Sequence, residues 1–480
     1  MLAALIVGGL YAVNISGWLM HDDEGTDFYE VWRFAEGDRP GVDYIAEQQP
    51  LFLMAGAAIV QLFGRDPAPL RLLSAAHVLA GAYVLVALVA TATNQRTGLL
   101  MGIVVLSNSM IFEQARLFRP DPMMLAWEMV GLGLAFLASG RAGSWLWAAA
   151  GAAYGVAFLW KPLAALPVVG VLLYFGYRLA ADRVNWRGHL RGAAAFVAGF
   201  LLFALAISAG LYAFTGFYYG EVFGQHASLG REQGTLTLLL RTAAGNLLFF
   251  TGNALFLFIP ALAYVNRRMS AIKPAAHHLL GFQLLAPAAL LALSRPLHLR
   301  YFIFLVPPLA LLLAIQFDAL LVRANGVARA RAALVAAAVL VFVASVILSS
   351  PGLPNLLSRT ELDSRGLAEL VAAHTGAADL VLSDYAGINF LAGRASIPEA
   401  SIIAGGRIEG GIVTGAMLLE RIEHSPVELV LIHVEGGEPP AHHLVKLPDY
   451  RPFLAGLEQK FVFWTEFERA GQVIQIYRRK

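Results

Sequence analysis

Long apolar runs separated by short polar stretches dominate the first 350 residues. They predict membrane-spanning helices near 2–20, 73–93, 98–112, 123–139, 145–160, 163–178, 192–214, 241–264, 276–293, 301–317 and 333–350, eleven in all, because about 20 apolar residues cross a ~30 Å hydrocarbon core. The first run has neither a basic start nor a small-residue cleavage site, so it reads as a retained helix and not as a signal peptide. Between the first two spans the pattern changes. Phe28, Val31, Trp32 and Ala35 fall on one helical face, and Leu51–Phe63 is apolar but too short to span. Both are predicted as helices lying on the outer membrane surface, with Tyr29 and Trp32 at the interface and a turn at Gly37–Gly41 between them. After Pro351-Gly352-Leu353-Pro354 the period shortens. Helices near 361–374, 412–423 and 450–458 alternate with strands at Asp379–Ser383, Val427–His433, 460–466 and 472–478. The predicted fold is therefore a polytopic α-helical membrane domain, 1–350, followed by a small exterior α/β domain, 351–480.

Charge sets the orientation. Charged residues are only 14% of the chain against 58% hydrophobic, so each basic loop is informative. Alternate connections carry Arg96; Arg141; Arg178, Arg183, Arg187 and Arg191; Arg267, Arg268 and Lys273; and Arg323, Arg329 and Arg331. The positive-inside rule makes these cytoplasmic, with the N-terminus inside and the C-terminus outside. This is the pattern of a multi-pass protein of a bacterial inner or plasma membrane. The outer loops nevertheless hold Arg71, Arg119 and Arg300, cations that need a carboxylate or phosphate partner. The same face gathers carboxylates: Asp23 and Glu24 open a loop that also holds Asp27, Glu30, Asp43, Gln48 and Gln49, and Asp121 lies in Arg119-Pro120-Asp121-Pro122. Carboxylates and cations collected on one face of an apolar protein point to chemistry at a membrane surface.

Other chemistries lose ground. The chain has no cysteine, so thiolate catalysis, Cys-ligated metals and disulfides are excluded. His277-His278 and His442-His443 lack the spaced carboxylates of a metal site, so no metal ligands are assigned and a divalent ion is allowed but not indicated. Nucleotide-binding glycine motifs are missing from the C-terminal segment, and nothing suggests nucleic acid.

The stretch His21-Asp22-Asp23-Glu24-Gly25-Thr26-Asp27-Phe28-Tyr29, with Glu36-Gly37-Asp38, Asp43-Tyr44, Gln49-Pro50-Leu51, Leu62-Phe63-Gly64 and Leu70–Ser74, resembles the first outer loop of GT-C glycosyltransferases, nearest the protein mannosyltransferase and aminoarabinose-transferase superfamily. Leu117–Met124 resembles that group's second acidic loop, Phe158-Leu159-Trp160-Lys161-Pro162 its lysine-bearing hairpin, and Leu299-Arg300-Tyr301 with Val306-Pro307-Pro308 its later Arg-Tyr span. Two positions depart from the group: Gln48-Gln49-Pro50 replaces a basic residue or His before a proline pair, and Pro162 replaces Gly after the lysine. The resemblance implies transfer of a sugar from a polyprenyl-phosphate donor to a hydroxyl of a glycan, lipid or protein. Asp23 would be the general base of an inverting reaction, with Glu24 and Asp121 in the catalytic set. Lys161, Arg119, Arg300 and Arg71 would hold the donor phosphate, and Asp43, Gln49, His298 and Tyr301 would contact substrate. The alternative reading is a transporter or flippase of lipid-linked sugars, which would place its charges near the bilayer midplane.

Overall fold

The computed structural model describes residues 9–16, 22–141, 143–216, 237, 240, 243–244, 274–291, 299–323, 362–435, 443–469 and 472–480. The helices used below are α1 (Asp22–Ala35), α2 (Pro50–Phe63), α3 (Pro67–Ala92), α4 (Pro120–Gly140), α5 (Ser144–Trp160), α6 (Ala165–Ala181), α7 (Trp186–Leu201), α8 (Pro274–Leu290), α9 (Val306–Arg323), α10 (Leu362–Ala373) and α11 (Ala386–Ala392). Among the described residues, five stretches are long and apolar enough to cross a membrane: Pro67–Ala92, Pro120–Gly140, Pro162–Ala181, Trp186–Thr215 and Arg300–Ala319. A sixth is broken. Helices Gln95–Ser107 and Ser109–Ala115 meet at 65°, and Asn108 makes the break by capping the second helix, its Oδ1 accepting from Met110 N and Ile111 N. The predicted spans at 145–160 and 276–293 are the 17-residue helices α5 and α8. Those at 241–264 and 333–350, and most of 2–20, lie outside the described residues.

The chain divides into two compact units. One comprises Met1–Val13, Ser74–Gly210 and Gln233–Pro354; the other comprises Asn14–Leu73, Leu211–Glu232 and Asn355–Lys480.

Close packing of small residues builds the first unit. A Cβ on Gly151 of α5 would fall 1.9 Å from the Phe196 carbonyl of α7, and one on Gly199 would fall 2.1 Å from the Ala148 carbonyl. The two backbones can touch only because both positions are glycine, the usual device where helices associate in lipid. An aromatic and aliphatic core, including Tyr154, Trp147, Phe175, Phe196 and Leu279, fills the space around them.

In the second unit, the C-terminal segment forms a four-stranded mixed sheet: β1 (Leu380–Ser383), β2 (Val427–Glu435), β3 (Phe461–Arg469) and β4 (Gln472–Arg479), in the order β1-β2-β4-β3. β1 and β2 are parallel, so the chain must cross over between them; β4 runs antiparallel to both β2 and β3. Leu382, Val430, Ile432, Phe453 and Tyr477 lie in its core. Helix α11, unforeseen in the sequence, packs on α1. The rings of Phe28 and Phe390 stack at 5.2 Å, and the backbones come so near that a Cβ on Gly25 would lie 2.9 Å from Gly387 N. Tyr29 and Trp32 are therefore buried within protein, and not placed as interface anchors. The Tyr29 hydroxyl accepts from Ser396 N at 2.9 Å, and Trp32 Nε1 donates to Glu36 at 3.0 Å.

Candidate functional site

Polar residues concentrate at two places, one in each unit. In the first unit the centre is Asp121. Arg119 is the N-cap of α4 in extended conformation, Pro120 takes the first helical position, and Asp121 falls in the first turn, where proline is tolerated and the helix dipole favours a carboxylate. Asp121 is thus on a helix and not in a loop. Its partner comes from the other end of a second helix. Lys161 terminates α5 with extended backbone, which the following Pro162 enforces by excluding the helical conformation from the residue before it. That break lets Nζ reach Asp121, at 2.8 Å from Oδ1 and 2.9 Å from Oδ2. The Tyr301 ring lies 4.8 Å from the same ammonium, and the Arg300 guanidinium carbon 5.6 Å from that ring, both within cation–π range. Arg119 and Arg300 act electrostatically on Asp121 along with Lys161. Asp121 and Arg119 are buried, while Lys161 and Arg300 keep partial exposure.

Sequence reasoning passed over Glu128. It is two turns further along α4 on the face of Asp121, buried, and among the described residues neither of its oxygens meets a hydrogen-bond partner. Its only signal in the sequence is a lone acid within a span, which is costly in lipid and therefore informative.

In the second unit, Glu24 and Arg71 form a fully buried bidentate pair. Arg71 Nε and Nη2 donate to the two Glu24 oxygens, each at 2.8 Å, and Nη1 donates to the Ile15 carbonyl at 2.7 Å. Two of the residues read as catalytic and phosphate-binding are thus joined to one another, with every guanidinium nitrogen of Arg71 engaged. The neighbouring Asp23 is exposed on the same helix. Behind it lies a second acidic group. Glu30 is buried, and its carboxyl accepts from Glu47 N at 3.2 Å and Gln48 N at 3.3 Å. Burial pushes the Glu30 carboxyl well above the usual range, and the nearby Asp27 and Glu47 charges push the same way. Arg407, also buried, faces this group with Nη1 4.0 Å from Glu47.

Gln49 precedes α2 and accepts from the Tyr212 hydroxyl at 2.9 Å; its amide nitrogen meets no acceptor among the described residues. Asp43 is turned to an exposed pairing with Arg39 at 3.2 Å. His298 lies outside the described residues. No group of three or more His, Asp or Glu able to hold a metal occurs among the described residues. The C-terminal sheet contributes a buried pair that sequence reading also missed. His433 Nδ1 meets Asp384, whose other oxygen accepts from His443 N at 3.2 Å. This contact ties together the ends of the parallel strands β1 and β2.

Comparison with known proteins converges on one fold. A family model described as dolichyl-phosphate-mannose-protein mannosyltransferase matches residues 47–213. No curated protein is matched by sequence. Among solved structures, the chain is similar to ArnT from Cupriavidus metallidurans bound to undecaprenyl phosphate, with TM-score 0.66, 17% identity, and coverage of 99% of this chain and 96% of that one. It is also similar to the oligosaccharyltransferase AglB from Archaeoglobus fulgidus in complex with an inhibitory peptide and a dolichol-phosphate, with TM-score 0.59, 13% identity, and coverage of 100% and 74%. The chain therefore has the fold of the GT-C membrane glycosyltransferases, the fold that the resemblance in its sequence implies.

Proposed function

We propose that this protein is an integral-membrane glycosyltransferase that moves a sugar from a polyprenyl-phosphate carrier to an acceptor hydroxyl at the outer membrane face. The observation that carries the reading is the convergence of cations on Asp121. Lys161 pairs with its carboxylate, and Arg119 and Arg300 act on it electrostatically. A departing polyprenyl phosphate bears about −1.5 to −2 charges at neutral pH, and a cationic cluster of this kind would stabilise it. Asp121 orients Lys161, and Tyr301 backs its ammonium. Arg71 leaves the set of phosphate ligands and becomes the holder of Glu24, because its donors are already engaged.

In the proposed reaction the acceptor oxygen attacks the anomeric carbon from the side opposite the phosphate. The carbon–oxygen bond to phosphate breaks, its electron pair leaves with the polyprenyl phosphate, and the acceptor proton passes to the exposed Asp23 carboxylate. A positioned base contributes about 10²–10⁴-fold to such a step, and cationic groups that stabilise the developing phosphate charge contribute the rest without a proton. Gln49, with its open amide nitrogen, and Tyr301 are the substrate contacts best supported by burial and position; Asp43, already paired with Arg39, is the weakest.

The test is incubation of the purified protein with a panel of polyprenyl-phosphate sugars and glycan, lipid and peptide acceptors. The reading expects polyprenyl phosphate to be released stoichiometrically with an inverted glycoside. Movement of the intact lipid-linked sugar across vesicles with no transfer would replace it with the flippase reading.

A further inference from the structure

A cavity of about 700 Å³ opens at the ends of α4, α5, α6 and α7. It is remote from Asp121. Asp121 lies in the first turn of α4, whereas Gly140 and Arg141 at its other end line the cavity, and a 21-residue helix is about 30 Å long. Its floor is aromatic: Trp147 and Phe175 have ring centroids 4.6 Å apart, and Tyr174 stacks on Trp147 at 5.9 Å. Its wall is basic, formed by Arg141, Arg178 and Arg191. Asp182 answers one of these charges. It pairs with Arg178 at 3.1 Å and with His189 at 3.0 Å. Arg141 and Arg191 are exposed, and among the described residues neither meets a carboxylate. Gly192 packs closely on this floor, since a Cβ there would press on the Trp147 and Phe175 rings at 3.1 Å.

We propose that this cavity binds the phosphate headgroup of an anionic membrane phospholipid, with Arg141 and Arg191 as the phosphate ligands. The volume is in the range of small-molecule sites. Two cations without carboxylates favour an anion, and two guanidinium groups can share the oxygens of a single phosphate. The nearly buried rings of Trp147, Tyr174 and Phe175 give the cavity an apolar floor beside these cations, which suits an amphiphile. Basic pockets between membrane helices recognise lipid headgroups on these terms. The cavity's ring of arginines belongs to the loops that the positive-inside rule places on the cytoplasmic face, where anionic lipid is enriched. The inference stands independently of the transfer reaction.

The experiment is native mass spectrometry of the full chain released from nanodiscs made with phosphatidylglycerol or with phosphatidylcholine. The wild type is expected to retain phosphatidylglycerol selectively. Each arginine near a membrane surface is worth roughly fivefold in lipid affinity, so Arg141→Ala/Arg191→Ala should weaken retention about 25-fold, while Arg141→Lys/Arg191→Lys largely keeps it. Both positions are exposed, and an unchanged melting temperature in detergent checks that the double variant is folded. Equal retention of the two lipids by the wild type, or equal phosphatidylglycerol retention by wild type and the alanine variant, overturns the proposal. Displacement of phosphatidylglycerol by millimolar inorganic phosphate, together with protection by phosphate alone in detergent, would assign the site to a soluble phosphate and overturn the lipid source.

Discussion

At the scale of single residues, the account distinguishes neighbours that look alike in the sequence. Asp23 and Glu24 are adjacent acids, yet Asp23 is exposed whereas Glu24 is buried on Arg71. Their substitutions should fail differently. Breaking a buried ion pair by removing one partner costs about 3–5 kcal/mol because the other charge is stranded. Glu24→Gln is therefore expected to lower the thermal stability of the purified protein markedly more than Asp23→Asn, whose carboxylate is exposed; equal melting temperatures for the two variants would contradict the assignment. Glu30 gives a pH prediction. Its folded pKa is raised above the ordinary 4.5, so the folded state holds the proton more tightly than the unfolded chain does. Its contribution to stability is complete below the unfolded pKa and is lost as pH rises towards the folded value. Wild-type stability should thus decline over that window relative to Glu30→Gln, which keeps a neutral acceptor for Glu47 N and Gln48 N. Parallel melting curves of the two proteins from pH 4 upward would show the burial of Glu30 to be without this consequence. The acids were legible in the sequence as a cluster, but their division into buried and exposed was not, because it depends on which side of α1 meets α11 and Arg71.

At the scale of elements, the helical periodicity of Phe28, Val31, Trp32 and Ala35 correctly located α1 but misplaced what covers it. An amphipathic face signals burial without naming the partner. Here the partner is the C-terminal segment some 350 residues later, through Phe390, Gly387 and Ser396. The seven-residue helix α11 is too short to leave a periodic signature, which is why it escaped the sequence reading. The contact has a consequence for turnover: the helix that carries Asp23 is held by residues far from any proposed substrate. Gly25→Ala places a methyl 2.9 Å from Gly387 N, so α1 must shift. Turnover should fall by an order of magnitude or more, as small misplacements of catalytic groups do, with donor binding retained because Lys161 and Arg119 are untouched. A variant with full activity would show that the position of α1 does not matter. The hairpin at Lys161 was visible as Lys-Pro in an apolar stretch; the ion pair with Asp121, 40 positions earlier, was not, since nothing local specifies it.

At the scale of the whole molecule, hydropathy revealed the membrane class and the α/β character of the C-terminal segment, down to strands expected at Asp379–Ser383 and Val427–His433 and found at Leu380–Ser383 and Val427–Glu435. The grouping of Asn14–Leu73 with Asn355–Lys480 in one compact unit was hidden, because long-range packing leaves no periodic trace. The proposed topology follows from the basic loops. Reporter fusions after residues 185 and 400 are expected on the cytoplasmic and exterior sides respectively, and the same side for both would refute it.

The central claim is that Asp23 takes the acceptor proton while the cations around Asp121 hold the phosphate. It is tested most directly by measuring transfer and donor binding on the same preparations of wild type, Asp23→Asn and Lys161→Ala. Asp23→Asn should lose at least ~10²-fold in turnover with donor affinity little changed, and Lys161→Ala should lose both. Near-normal turnover in Asp23→Asn, or unaltered donor affinity in Lys161→Ala, would contradict the account.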